Sequence, residues 1–151
     1  MISIDASIFL GMHCHNDSFR IYCKTLVVNY LFNGIIISCE EIGKCDNIIW
    51  TRAASSQIQY FAFMDLLMTE GKFQRHIYTS DLIERAFLNK QKLSVELANA
   101  LSAKHYSINS DPSFNFENTS EPNFTSDKLN KLYINSLNTK FEFKQLLSLI
   151  D

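Results

Sequence analysis

Ile35, Ile36 and Ile37 stand in direct succession, with Asn33-Gly34 before them and Ser38-Cys39-Glu40-Glu41 after. Three β-branched residues favour a strand, and the run has no polar alternation, so both of its faces must be covered. A strand of that kind belongs in a parallel sheet with helices on either side. The flanks agree. Asn33-Gly34 stops a helix and turns the chain, while Ser-x-x-Glu is the form of a capping box, which opens a helix expected to run to about Trp50.

The remaining segments fit around that strand. Residues 2–4, with 8–10 just beyond, read as a short apolar strand running into a turn. Residues 17–32 form a helix with Ile21, Tyr22, Leu26 and Tyr30 on one side. The segment QIQYFAFMDLLM is apolar nearly all round and is expected deep in the domain. Ser80-Asp81 caps a short helix through Phe87, residues 93–105 make another, and residues 106–109 a short strand ending at Ser110-Asp111-Pro112. Polar residues 115–123 read as a loop and 126–137 as a helix, with 140–150 either an edge strand or a final helix. Strand, helix, strand, several helices, strand predicts a three-layer α/β/α sandwich around a central parallel sheet, with the first strand inside it. A chain of 151 residues supports one core, so residues 1–151 are expected to be a single domain with 115–151 a peripheral loop and C-terminal extension.

Composition narrows the function classes. With 46% hydrophobic and 20% charged residues, 4 Gly and 2 Pro, the chain is neither disordered nor fibrous. No window approaches a membrane span, and the N-terminal run has no basic segment and carries Asp5, so a cytoplasmic protein without membrane contact is expected. Cys14, Cys23, Cys39 and Cys45 have no framework spacing and read as free thiols. The net charge of -2 excludes a broad basic footprint, so any contact with nucleic acid must be local.

The acids carry most of the chemical information. Asp5 lies in ISIDASIFL, apolar on both sides, where a carboxylate needs a metal or a partner, and its structural alternative is to cap the following helix. On the helix wheel Asp46 falls on the inward edge between Ile42 and Trp50. Glu40 points the opposite way, and Glu41 is explained as the capping-box acid. Glu96 sits beside Ala100 and Ala103, small residues that let it reach the sheet rim, and Asp111 follows the last strand. Together Asp5, one acid of the helix after Ile37, Glu96 and Asp111 would converge on one rim. Clustered carboxylates need a cation, and hard oxygen donors select Mg²⁺ or Mn²⁺.

These segments resemble a known family. ISIDASIFL is similar to the first strand of PIN domains, and SVELANALSAKHYSINSDPSF to their acidic helix, short strand and closing Ser-Asp element. The resemblance runs to about Phe114. PIN domains are α/β/α nucleases that bind divalent metal through three or four acids, and many are ribonuclease toxins neutralised by a partner. It implies a metal-dependent ribonuclease with Asp5, Asp46, Glu96 and Asp111 as catalytic and metal-binding residues. Asp5 matches the first acid, Glu96 the third, one methylene longer than the usual Asp, and Asp111 the fourth. Where the second acid is usually a Glu, this chain has Lys44, Cys45 and Asp46. The alternative is a catalytically inactive PIN-like accessory or protein-binding subunit. Partners implied are RNA, an antitoxin-like protein or associated enzyme, and a second copy of the chain.

Other features were weighed beside these. His13-Cys14-His15 lacks a matching pair for tetrahedral zinc, and His13 and His15 are instead expected near the rim, contacting substrate phosphate. Asp65, in an apolar helix, is expected as a buried acid paired with Arg52, Arg75 or Arg85. A phosphotransfer domain would need a phosphate-cradling Gly-rich loop, and the glycines are scattered.

Overall fold

The computed structural model describes residues 1–108 and 120–150. Along the chain run β1 (Ile2–Ile4), α1 (Ala6–Gly11), α2 (Asp17–Tyr30), β2 (Ile35–Ser38), α3 (Cys39–Ile49), α4 (Ala54–Glu70), β3 (Phe73–His76), α5 (Ser80–Asn89), α6 (Leu93–Ala100), β4 (Lys104–Tyr106), α7 (Asp127–Ser136) and α8 (Phe143–Leu147). The four strands make one parallel sheet in the order β3-β2-β1-β4. Ile2 is in register with Ile35 on one side and Lys104 on the other, so β1 is an inner strand, as expected.

The isoleucine run does what its pattern requires. Ile35 and Ile37 pack into the main core, while Ile36 faces Leu82 of α5 and Leu97 of α6. Alternate residues of one strand therefore bury against helices on opposite sides, which is the three-layer α/β/α sandwich. The turn before it depends on Gly34, whose φ of 121° is costly for any other residue. Gly11 allows α1 to lie against α2, since a Cβ there would come within 2.4 Å of Cys23 Sγ.

Several elements differ from expectation for physical reasons. Residues 8–10 belong to the buried helix α1, begun by an Asp5 cap, and do not extend the strand. β3 has no β-branched residue. It is an edge strand, with Gln74 and Arg75 exposed, so it lacks the apolar signature of the inner strands. The helix expected over 93–105 ends at Ala100, where Ser102 takes a left-handed φ of 53° and lets β4 start at Lys104. α4 is not deep: Tyr60, Phe63, Met64 and Leu67 are buried, but Ile58 and Asp65 are exposed. Asp65 is thus not the buried ion pair expected. Residues 140–150 contain the helix α8, preceded by a single bridge between Cys14 and Phe141.

The largest correction concerns the C-terminal segment. Phe124, Leu129, Tyr133, Phe141 and Leu146 are all buried in the main core, so this segment is integral to the domain where a peripheral extension was expected. Lys24 of α2, itself buried, pairs with Glu121 at 3.3 Å and lies 4.3 Å from the Tyr133 ring centroid, fastening the segment to the first half of the chain. The loop start at 115, the turn at Ser110-Asp111-Pro112 and Asn109 lie outside the described residues. No helix among the described residues is long and apolar enough to cross a membrane.

Candidate functional site

Asp5 follows β1 directly and caps α1. Its Oδ1 accepts from the N–H groups of Ser7 and Ile8, at 3.0 and 3.3 Å, and from the Ser7 hydroxyl. Three donors on one oxygen offset the desolvation of a buried carboxylate. The other oxygen faces His105 Nε2 at 4.0 Å, and His105 Nδ1 lies 3.1 Å from Ser3 Oγ. Burial pushes the His105 imidazole below its ordinary value, against the pull of the Asp5 charge.

Glu41 reaches the same place from α3. Ser38 Oγ accepts from the Glu41 N–H at 3.1 Å, the half of the capping box that starts the helix. The Glu41 carboxylate turns elsewhere: Oε2 accepts from the Ala6 N–H at 2.9 Å and Oε1 from Lys44 Nζ at 3.0 Å. Burial raises its pKa, opposed by the Ala6 N–H and Lys44. Lys44 also donates to the Leu149 carbonyl at 3.3 Å. Asp5, Glu40, Glu41, Lys44, Tyr78 and Lys92 line a cleft of about 140 Å³, walled on one side by Leu149 and Ile150. It lies beyond the carboxyl ends of β1 and β2, the position at which open parallel sheets bind ligands. The C-terminal residues, expected away from the acidic site, form part of its wall.

The four expected acids come together only in part. Asp5 is in the cleft, and the acid that joins it from α3 is Glu41. Asp46 lies five residues on, about 140° further round a helix of 100° per residue, and lines a different groove with Ile42, Phe61, Met64, Asp65, Met68, Thr69 and Arg75. Burial there raises its pKa. Glu96 is buried and accepts from Asn89 Nδ2 at 2.7 Å, while Leu93 and Ser94 are the residues of α6 that line the cleft. Asp111 lies outside the described residues. The chain leaving β4 does pass the site, because the Ile108 N–H donates to Ser7 Oγ at 3.0 Å.

Among the described residues no three of His, Cys, Asp and Glu are grouped to hold a metal ion. Mg²⁺ asks for near-octahedral oxygen donors. Here Asp5 Oδ1 and both Glu41 oxygens already accept from internal donors, and an ammonium group stands beside them. The described donor set does not fit a divalent ion.

The two histidines part company. His13 is fully buried among Tyr60, Phe63 and Tyr133, with Nε2 2.8 Å from Ser136 Oγ, and burial, aided by Arg20, pushes its pKa down to about 3. It sits just beyond the wholly buried α1, which carries it into the core and away from any rim. His15 is exposed and lines a pocket of about 480 Å³ with Arg52, Ser56, Leu137, Asn138, Thr139 and Lys140.

Sequence reasoning missed Lys44, His105 and the Arg52, Thr139 and Lys140 that line this pocket with His15. The Glu41-x-x-Lys44 spacing was a usable signal, since residues three apart on a helix are neighbours. A search of curated proteins and a search of solved structures each gave no match. Residues 1–146 match a family described as a family of unknown function (DUF6190), and the chain belongs to that family.

Proposed function

We propose that this protein is a PIN-like, non-catalytic binding subunit whose acidic rim is neutralised by its own lysine. The observation that carries the reading is the Lys44 ammonium, 3.0 Å from Glu41 in the cleft that also holds Asp5. Two buried carboxylates repel each other and need a nearby positive charge. In a metal nuclease that charge is a divalent ion that also activates water. Here a side chain of the chain itself supplies the charge, and a divalent ion would have to displace an ammonium that is also bonded to the Leu149 carbonyl.

A protein partner is supported by α5, which buries only Leu82 and Ala86 and leaves Ile83, Phe87 and Leu88 exposed, with Ile77 exposed just before it. Phe87 is 82% exposed, and clustered apolar side chains of this kind are the sort that another protein covers. Catalytic use of RNA is the competing reading, and one experiment separates the two. Wild-type protein and Lys44→Glu are incubated with a fluorescent single-stranded RNA and Mn²⁺, and their thermal unfolding is followed with and without the metal. We expect no cleavage and no Mn²⁺-dependent stabilisation in the wild type, and Mn²⁺-dependent stabilisation in Lys44→Glu. Wild-type cleavage that needs Mn²⁺ and is lost in Asp5→Asn would establish the nuclease in its place.

A further inference from the structure

The pocket around His15 shares no residue with the acidic cleft and carries the opposite charge. We infer that it is a binding site for the phosphate group of a small phosphorylated ligand, built from Arg52, Lys140, Ser56, Thr139 and the first turn of α4. This inference stands independently of the reading of the acidic cleft.

Three separate features converge there. The first is an uncapped helix start. α4 has 17 residues, its N-cap is Ala53, and no side chain caps it. At the start of the helix the Gln57 N–H donates to the Ala53 carbonyl at 3.1 Å. The N–H groups of Ala54, Ser55 and Ser56 therefore have no acceptor within their own helix, at the end where the helix dipole favours an anion, and of the three Ser56 lines the pocket.

The second is a pair of cations, of which Arg52 is held in place. Arg52 stacks over the Phe141 ring at 4.8 Å from its centroid, and its Nη2 donates to Gln145 Oε1 at 3.2 Å. A guanidinium fixed from below and from one side presents the rest of its fork in a set direction, which suits a phosphate better than a mobile lysine would. Lys140 lines the same pocket and adds a second positive charge. The nearby acids are Asp17, whose charge interacts with Lys140, and Glu142, 3.5 Å from His15 Nε2. Both carboxylates are well exposed, so water screens them.

The third is Thr139. It lines the pocket, yet it is 3% exposed, and its Oγ1 has no hydrogen-bond partner among the described residues. A buried hydroxyl without a partner is destabilising, and such groups are rare in native proteins. The hydroxyl oxygen lies beneath the pocket surface, and a rotation about χ1 would bring it to a phosphate oxygen bound there. Ser56 supplies a further hydroxyl. A volume of about 480 Å³ falls in the range of small-ligand sites, and Leu137 is the sole aliphatic residue of the lining. The ligand is thus polar beyond its phosphate as well.

Amide NMR titrations of the full chain with inorganic phosphate and with a nucleoside 5′-monophosphate, at constant ionic strength, test the proposal. Saturable shifts centred on Ser55, Ser56, Thr139 and Lys140 are expected. Arg52→Gln should weaken binding roughly tenfold, or about 1.4 kcal/mol. Lys140→Gln serves the same purpose if Arg52→Gln does not fold. Thr139→Val should weaken phosphate binding several-fold without lowering the unfolding temperature of the ligand-free protein, a combination that a merely structural threonine would not produce. Tighter binding of the monophosphate identifies an organic phosphate ligand, and equal binding identifies free phosphate; either supports the site. Shifts that fail to saturate, that centre elsewhere, or that survive both Arg52→Gln and Thr139→Val unchanged would overturn it.

Discussion

In the acidic cleft, one oxygen of Asp5 takes three donors, and the two oxygens of Glu41 take an amide and an ammonium. In the basic pocket, the first turn of α4 has no side-chain cap and the buried Thr139 hydroxyl has no partner among the described residues. Both regions collect charge at an edge of the fold. They differ in whether the protein satisfies that charge itself. Where internal donors and a lysine complete the arrangement, the charges serve the fold: Glu41 and Asp5 tie α3 to the start of α1. Where donors are left over, the arrangement is complete only with an added acceptor. A cluster of charges is therefore a weak sign of function, and unmet hydrogen-bonding capacity is a better one.

The largest expected effect comes from removing the segment on which both regions depend. Leu149 and Ile150 wall the acidic cleft, and residues 137–140 form part of the basic pocket. Deleting residues 120–150 would also strip out Phe124, Leu129, Tyr133, Phe141 and Leu146, each buried. At about 1.5–3 kcal/mol per large apolar side chain, the loss rivals the whole stability of a small domain. The truncated chain should show no cooperative thermal transition by circular dichroism. A sharp transition would mean that the two regions fold without a shared core.

Next comes acid sensitivity. His13 titrates near its ordinary value when unfolded and at about 3 when folded, so below about pH 6.5 the unfolded state binds the proton and the folded state does not. Stability from this residue should fall by about 1.4 kcal/mol per pH unit between about pH 6 and pH 3. Glu41 and Asp46, whose pKa values are raised by burial, act in the opposite sense: their contribution improves as pH falls and they protonate. Denaturant unfolding across this range should show a steep acid loss that is flattened in His13→Gln. An equal slope in both proteins would contradict the buried, neutral imidazole.

A smaller effect separates the two regions directly. Lys44→Ala leaves the buried Glu41 without its cation, and we expect a loss of about 1–2 kcal/mol, reduced from the cost for a fully buried pair because Lys44 is partly exposed. The loss should grow as pH rises through the raised pKa of Glu41 and shrink in acid. Pulse proteolysis or urea unfolding at two pH values reads it, and a pH-independent loss would point to packing alone. Thr139→Val should be the mildest change, within about 1 kcal/mol and on the stabilising side without phosphate, because it removes an unpartnered hydroxyl. A clear destabilisation would show that Thr139 has a partner in the fold.

What could be read from the sequence was local. The isoleucine run fixes a strand by its own composition, and Asp5 declares itself because a carboxylate inside an apolar strand-to-helix junction has few uses. Capping at Ser38 was likewise legible. Glu41 illustrates the limit. Its backbone plays the part assigned to it, but its carboxylate is set by Ala6 and Lys44, and only the register of α1 against α3 decides that. The wheel placed Asp46 on the inward edge of its helix, and the structure leaves it half-buried in a groove apart from the cleft. β3 was invisible because an edge strand does not need an apolar pattern. The basic pocket joins Arg52 to Thr139 and Lys140, residues far apart in the chain that share no motif.

The acidic cleft is closed by its own cation, Lys44. The most direct measurement is Mn²⁺-induced broadening of amide NMR signals in the wild-type chain, since a bound paramagnetic ion broadens nearby amides selectively. We expect no saturable broadening at Ala6, Ser7 and Glu41 as Mn²⁺ is added, and its appearance at those amides in Lys44→Glu. Selective broadening at Ala6, Ser7 and Glu41 of the wild type at substoichiometric Mn²⁺ would contradict it, and would return the cleft to the metal-dependent reading.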